Sequence, residues 1–161
     1  MKHYIIRVGN GNNFYNSVYN VWGYIDHSHN LKITKKMEKG DVLWFLKSKE
    51  FGGNFVGMAT FERYIDRRDE TLINVNTLLN NENNWTDDDG NETDRRWDIQ
   101  IHYRNLYQIE ELNIVQVIVA SLTVMEYEAS KTYGTTNFTV DLEQEYRLIT
   151  RYRQQQNKQI L

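Results

Sequence analysis

The residues best equipped for chemistry in this chain are aromatic rings and side-chain amides rather than nucleophiles. Trp22 is followed by Gly23, which clears space beside the indole, and Trp85 sits in an asparagine-rich stretch with few apolar neighbours. An indole with a free face is a stacking platform for a flat ligand. A nucleobase needs such walls, hydrogen-bonding groups at its edge and cations near its phosphates. Asn10 and Asn13 offer donors and acceptors just after the first extended segment, and Ser48 adds a hydroxyl at the end of another. Lys35, Lys36, Lys47 and Lys49 around the central hairpin are candidates for phosphate contact. Each residue also has a plainer role. Trp44 and Trp97 fall in strand-like runs and suit a core, Asn10 and Asn13 suit a turn and a helix cap, Trp85 suits a loop anchor, and lysine runs suit a solvated face.

Covalent and metal chemistry find little support. There is no cysteine, and the four histidines are scattered, His27 and His29 standing two apart in a loop-like segment. No zinc site, disulfide or thiol nucleophile follows from such a set. Gly9-x-Gly11 begins like a dinucleotide fingerprint, but Phe14 stands where the third glycine belongs. The acidic run Asp87-Asp88-Asp89-Gly90 fails the calcium-loop template, because Trp85 then falls at the first carboxylate position. Nucleophile-elbow, phosphate-loop and metalloprotease motifs are missing as well. The expectation is a non-catalytic protein without cofactor or metal.

Bulk properties set the frame. At 161 residues the chain is long enough for one domain with a substantial core, spanning 1–161. A net charge of −3 argues against a strong nonspecific polyanion binder, whose affinity comes from clustered cations, but leaves room for a local basic rim. No apolar run reaches the length of a membrane span, and no signal-like segment follows Met1-Lys2-His3. The reading is an intracellular protein, cytoplasmic or nuclear, not secreted and without a membrane partner.

The elements that must position these residues are mostly strands. Residues 3–9 read as a first strand, broken by Gly9-Asn10-Gly11-Asn12-Asn13. Residues 13–21 read as a short helix capped by Asn13, with Phe14, Val18 and Val21 on one face. Asp41 to Lys47 is a second strand, so continuously apolar that both faces should be covered. Phe51-Gly52-Gly53-Asn54 supplies a hairpin loop, and a third strand runs from Phe55 to Ile65, with Gly57 marking a bulge or a close approach. Residues 71–96 read as a mobile loop carrying Trp85. Trp97 to Tyr103 is a fourth strand, and the β-branched stretch 112–127 holds another one or two. Asp141-Leu142-Glu143-Gln144 opens a closing helix with a capping box, and 154–161 reads as a frayed tail.

These pieces resemble a known group. Tyr4-Ile5-Ile6-Arg7, Trp22-Gly23, Lys39-Gly40-Asp41-Val42-Leu43, Phe55-Val56-Gly57-Met58-Ala59 and Trp97-Asp98-Ile99-Gln100-Ile101 together look like the EVE and YTH domains of the PUA-like group. The resemblance spans most of residues 3–115. It implies an α+β fold, a small bent PUA-like β-barrel of about five to six strands flanked by short helices. It also implies a reader of a modified nucleobase in RNA or DNA, with Trp22 as first cage wall, Asn13 and Asn10 at the base edge and Trp85 as second wall. Gly23 stands where YTH domains usually carry serine, which favours the EVE-like form over methyladenine specificity.

Stacking contributes roughly 1–3 kcal/mol per base, and a methyl group buried between aromatic walls adds only about 0.8 kcal/mol. Selectivity on the order of tenfold follows unless a polar mismatch opposes the unmodified base. Two other readings fit the same sequence. One is a protein-interaction or assembly module that keeps the barrel without a working pocket, suggested by the net acidity and the apolar segment 112–127. The other is an enzyme acting on a nucleotide.

Overall fold

The architecture comes from a computed structural model that describes residues 1–25, 28–68, 78–112 and 124–127 and the pair Tyr146–Arg147. Six strands form one mixed sheet: β1 (His3–Arg7), β2 (Val21–Tyr24), β3 (Val42–Leu46), β4 (Phe55–Asp66), β5 (Ile99–Leu112) and β6 (Val124–Tyr127). Their order is β2-β5-β4-β3-β1-β6. β1 runs parallel to β3, and every other pairing is antiparallel. The first five strands curl into a half-barrel, and the edge strands of the whole sheet, β2 and β6, do not pair with each other among the described residues. The curl has a local cause. Three register shifts interrupt the β4–β5 ladder, at Phe55/Gly57, Met58/Thr60 and Phe61/Arg63. Each bulge sharpens bend and twist.

The expected burial of the second strand holds on both faces. All five residues of β3 are buried. Alternation sends Leu43 and Phe45, with Tyr4 and Ile6 of the neighbouring β1, into the concave core, joined by Val56, Phe61, Ile99, Ile101 and Tyr103. Ile5 and Trp44 point to the other side and are equally buried. There the Trp44 indole N–H donates to His3 Nδ1 at 3.0 Å, and Tyr146 meets the His3 ring edge-on.

Two short helices seal the concave side. α1 (Asn12–Asn16) is shorter than the helix expected over 13–21. Gly11 takes its N-cap position in the left-handed region (φ 87°) with no side-chain cap, so Asn13 lies inside the helix. Val18 is exposed and Val21 belongs to β2, which breaks the apolar face read from the sequence. Phe14 docks the helix. Its ring lies 4.7 Å from that of Phe45 and fills the notch at Gly57, where an added Cβ would sit 2.6 Å from Phe14 Cζ. Gly57 is therefore both a close approach and the site of a register shift. α2 (Ser28–Thr34) had no counterpart in the sequence reading. It packs Leu31, Ile33 and nearby Met37 on the core, and its Thr34 hydroxyl pairs with the Tyr24 hydroxyl.

β4 ends at Asp66, one residue past its expected end, while β5 starts at Ile99, two residues after the expected Trp97, and runs on to Leu112 as the antiparallel partner of β4. β6 falls within the stretch expected to add a strand. Residues 113–123, the remainder of the closing helix around Tyr146–Arg147, the tail 154–161 and the 71–77 part of the expected loop lie outside the described residues. Among the described residues no helix is long and apolar enough to cross a membrane.

Candidate functional site

Trp22 and Gly23 lie in a strand, not in a loop. β2 pairs with β5 so that Trp22 faces Ile101 and Gly23 faces Gln100. Trp22 is 8% exposed and belongs to the core cluster, so the exposed platform read from the sequence is a mostly buried ring. The space cleared by Gly23 is used by other indoles. A Cβ on Gly23 would come within 2.8 Å of Trp97 Cβ and 3.1 Å of Trp85 Cη2. Three tryptophans thus converge on one glycine.

Their mutual geometry is a corner. Trp85 stands edge-on to Trp22 (centroids 6.4 Å, planes at 75°) and to Trp97 (5.9 Å, 79°). Planes this steep cannot clasp both faces of one flat ring. The expected pair of facing walls, Trp22 and Trp85, is replaced by perpendicular rings packed on one another, and Trp85, expected in an exposed loop, is only 3% exposed and clusters with Val21 and Leu78.

Trp85 is held there by side-chain amides. Its Nε1–H donates to Ser17 Oγ at 3.1 Å, and Ser17 Oγ donates to the Asn13 carbonyl at 2.6 Å. Asn13 grips the next residue: its Oδ1 accepts the Thr86 backbone N–H at 3.0 Å, and its Nδ2 donates to the Thr86 carbonyl at 3.0 Å. Asn83, fully buried, accepts from the Tyr19 N–H and donates to the Val21 carbonyl. Gln100 of β5 makes the same two-way bond to Leu78, at 2.9 and 2.8 Å. Segment 78–98 has irregular backbone around a short 3₁₀ turn, Asn80–Asn83, yet it is stapled to α1, β2 and β5. The sequence reading took its asparagines as a sign of mobility. Their amides satisfy backbone groups that the irregular chain cannot pair itself.

A cavity of about 190 Å³ opens beside this corner. It is lined by Asn10, Asn13, Trp22, Gly23 and Trp85, five of the six residues assigned to base contact, together with Arg7, Tyr24, Ile25, Asp88, Arg95 and Trp97. Ser48 does not line it. That residue follows β3, and its backbone organises the hairpin turn through bonds to Gly9, Phe51 and Gly53. Asn10 Oδ1 accepts the Asn12 N–H at 2.9 Å, which leaves its Nδ2 as the amide donor without a partner among the described residues. Most of the Asn13 amide is engaged by Thr86, so Asn13 acts here chiefly as a strut. The Trp22 indole N–H has no acceptor among the described residues and is sealed from solvent, so an acceptor reaches it only if neighbouring side chains shift.

The electrostatics differ from the expectation too. Lys35, Lys36 and Lys47 line no part of the cavity; Lys35 and Lys36 are exposed beyond α2, and Lys47 lies 5.7 Å from the Tyr15 ring. The backbone of Lys49 lies in the hairpin turn. The cations at the cavity are Arg7 and Arg95, with Asp88 opposing them. Partial burial pulls the Arg7 guanidinium below its ordinary value, and burial pushes the Tyr24 hydroxyl well above its own. Both keep their usual charge at neutral pH.

Arg7, Arg95 and Trp97 are among the lining residues that sequence reasoning missed. Arg7 carried a usable signal, being the polar end of an otherwise apolar strand. Trp97 carried none, because the strand expected from Trp97 suited a core, whereas the residue lies in the irregular segment before β5. Among the described residues no group of three His, Asp or Glu side chains could hold a metal ion. Compared with family models, curated proteins and solved structures, the chain matches none.

Proposed function

We propose that this protein is a non-catalytic reader of a modified nucleobase in RNA or DNA, holding the base in the small cavity beside Trp85. The observation that carries the reading is the gathering of Asn10, Asn13, Trp22, Gly23 and Trp85 around one cavity, from segments more than sixty residues apart in the chain. The volume of about 190 Å³ lies below the ~300–1,000 Å³ of pockets that enclose drug-sized ligands. It suits a single ring system. Of the three indoles Trp97 is the half-buried one and would supply the stacking surface, while the buried Trp22 and Trp85 rings form the apolar floor on which a substituent would rest. Asn10 Nδ2 supplies a donor at the rim, and Arg7 and Arg95 supply positive charge.

The test is equilibrium binding of short single strands, each carrying one modified base, beside unmodified controls. The expected result is preference for one modification, on the order of tenfold, consistent with one buried substituent of about 0.8 kcal/mol plus its fit. Asn10→Asp keeps an oxygen for the Asn12 N–H but replaces the free donor by an acceptor. It should weaken the preferred strand about tenfold while leaving thermal stability unchanged. Equal affinity for every strand contradicts the reading, as does an Asn10→Asp variant that binds like the parent.

A further inference from the structure

We propose that the ligand is a nucleotide within a strand, whose flanking sugar-phosphate chain lies in a second, open groove with Arg95 and Arg67 as its phosphate contacts. The inference rests on the base-reading function above and names the rest of the ligand.

The groove, of about 870 Å³, adjoins the small cavity and shares Trp85 and Arg95 with it. The small cavity is too tight for a whole nucleotide, so the sugar and phosphates of a captured base must lie outside it. A base paired in a duplex cannot enter, so the nucleotide is unpaired or flipped out. Arg95, common to both spaces, is the cation that such a backbone meets first. Its main chain is fixed: the Arg95 carbonyl accepts from Asn80 Nδ2 at 2.9 Å, and its N–H donates to Thr93 Oγ1 at 3.2 Å. Its guanidinium is exposed and makes no ion pair among the described residues, and the same absence of an ion pair holds for Arg67 at the groove wall. Arg96, also in the groove, is already bonded to Asp98 at 3.0 Å.

Two acids, Glu92 and Asp94, share the groove with these three arginines. With Arg96 paired to Asp98, the two remaining arginines are matched by these two acids, so few phosphates can be neutralised. The dependence of log affinity on log salt for a single strand should have a slope of about −0.7 to −1.4, one or two neutralised phosphates. That suits a chain of net charge −3, which cannot rely on bulk attraction to a polyanion.

Anisotropy titrations of the full chain with labelled single strands, at several salt concentrations, test the assignment. Arg95→Gln should weaken modified and unmodified strands alike, about five- to tenfold, and reduce the salt slope by about 0.7, leaving the selectivity ratio intact. Arg63→Gln, an exposed arginine of β4 outside both spaces, should change neither. The modified nucleoside alone should bind at least tenfold more weakly than the strand. The assignment is overturned if Arg95→Gln keeps parental affinity and slope, if lysine variants at Lys35 and Lys36 carry the slope, or if the nucleoside binds as tightly as the strand. A parent protein that binds no strand selectively overturns the base-reading function itself. Selective binding with an unaffected Arg95→Gln overturns the groove alone.

Discussion

Gly23 shows how one residue can set a site by having no side chain. Its Cα lies against Trp97 and Trp85 so closely that a methyl group would collide with both, at 2.8 and 3.1 Å. Gly23→Ala therefore overpacks the corner. It should cost about 1–3 kcal/mol, measured by denaturant unfolding, and shift tryptophan fluorescence as the two indoles move apart. An unchanged stability and spectrum would mean that the rings are not in contact there. Asn13 is the complementary case, a polar side chain that supports rather than reads. Asn13→Ala leaves the Thr86 N–H without its acceptor. It should cost about 1–3 kcal/mol and speed amide exchange across residues 78–86. The importance of Trp22-Gly23 was legible because glycine beside tryptophan is a conspicuous pairing. Which indoles use the glycine was not legible, since that depends on Trp85 and Trp97 arriving from a distant segment.

At the scale of elements, the strands were legible and their polar connections were not. β1, β3 and β4 announce themselves through β-branched and aromatic runs with period-two or continuous burial. α2 is too short, and too dependent on tertiary contact through Ile33 and Thr34, to leave a periodic signal. The expected loop over 71–96 looks mobile in the sequence because asparagine-rich composition is the same whether the amides face water or staple backbone. The outer face of the sheet carries its own test. Burial pushes the Glu62 carboxyl up, but Lys39 and Arg104, at 3.2 and 3.1 Å, hold it below the ordinary range. Arg68 does the same for Asp66. A carboxyl whose folded pKa is depressed contributes stability above its unfolded value, about 4 for these groups, and loses it as pH falls through the lower folded value. Glu62→Gln should therefore lower Tm at pH 7, and the gap to the parent should narrow as pH falls from about 4 through the lower folded value. A gap that stays constant with pH would show that Glu62 gains nothing from its cations.

For the whole molecule, a bent sheet of strands with small helices was the right expectation, because apolar strand runs punctuated by glycine leave few other solutions. The position of the bend came from bulges in β4–β5, which no single residue other than Gly57 foreshadowed. The curl brings the end of β1, β2 and the segment before β5 together around the cavity, and the account stands on that cavity holding a base. Indole N–H resonances report on it directly, because the four tryptophans divide cleanly. Trp22, Trp85 and Trp97 line the cavity, whereas Trp44 lies on the opposite face, bonded to His3. On titration with a single strand carrying the preferred modified base, the first three signals should shift and saturate together while that of Trp44 stays still. The unmodified strand should need about ten times the concentration for the same shift. Cavity indoles that stay silent while a strand binds, or four signals that drift together for every strand, would contradict the account.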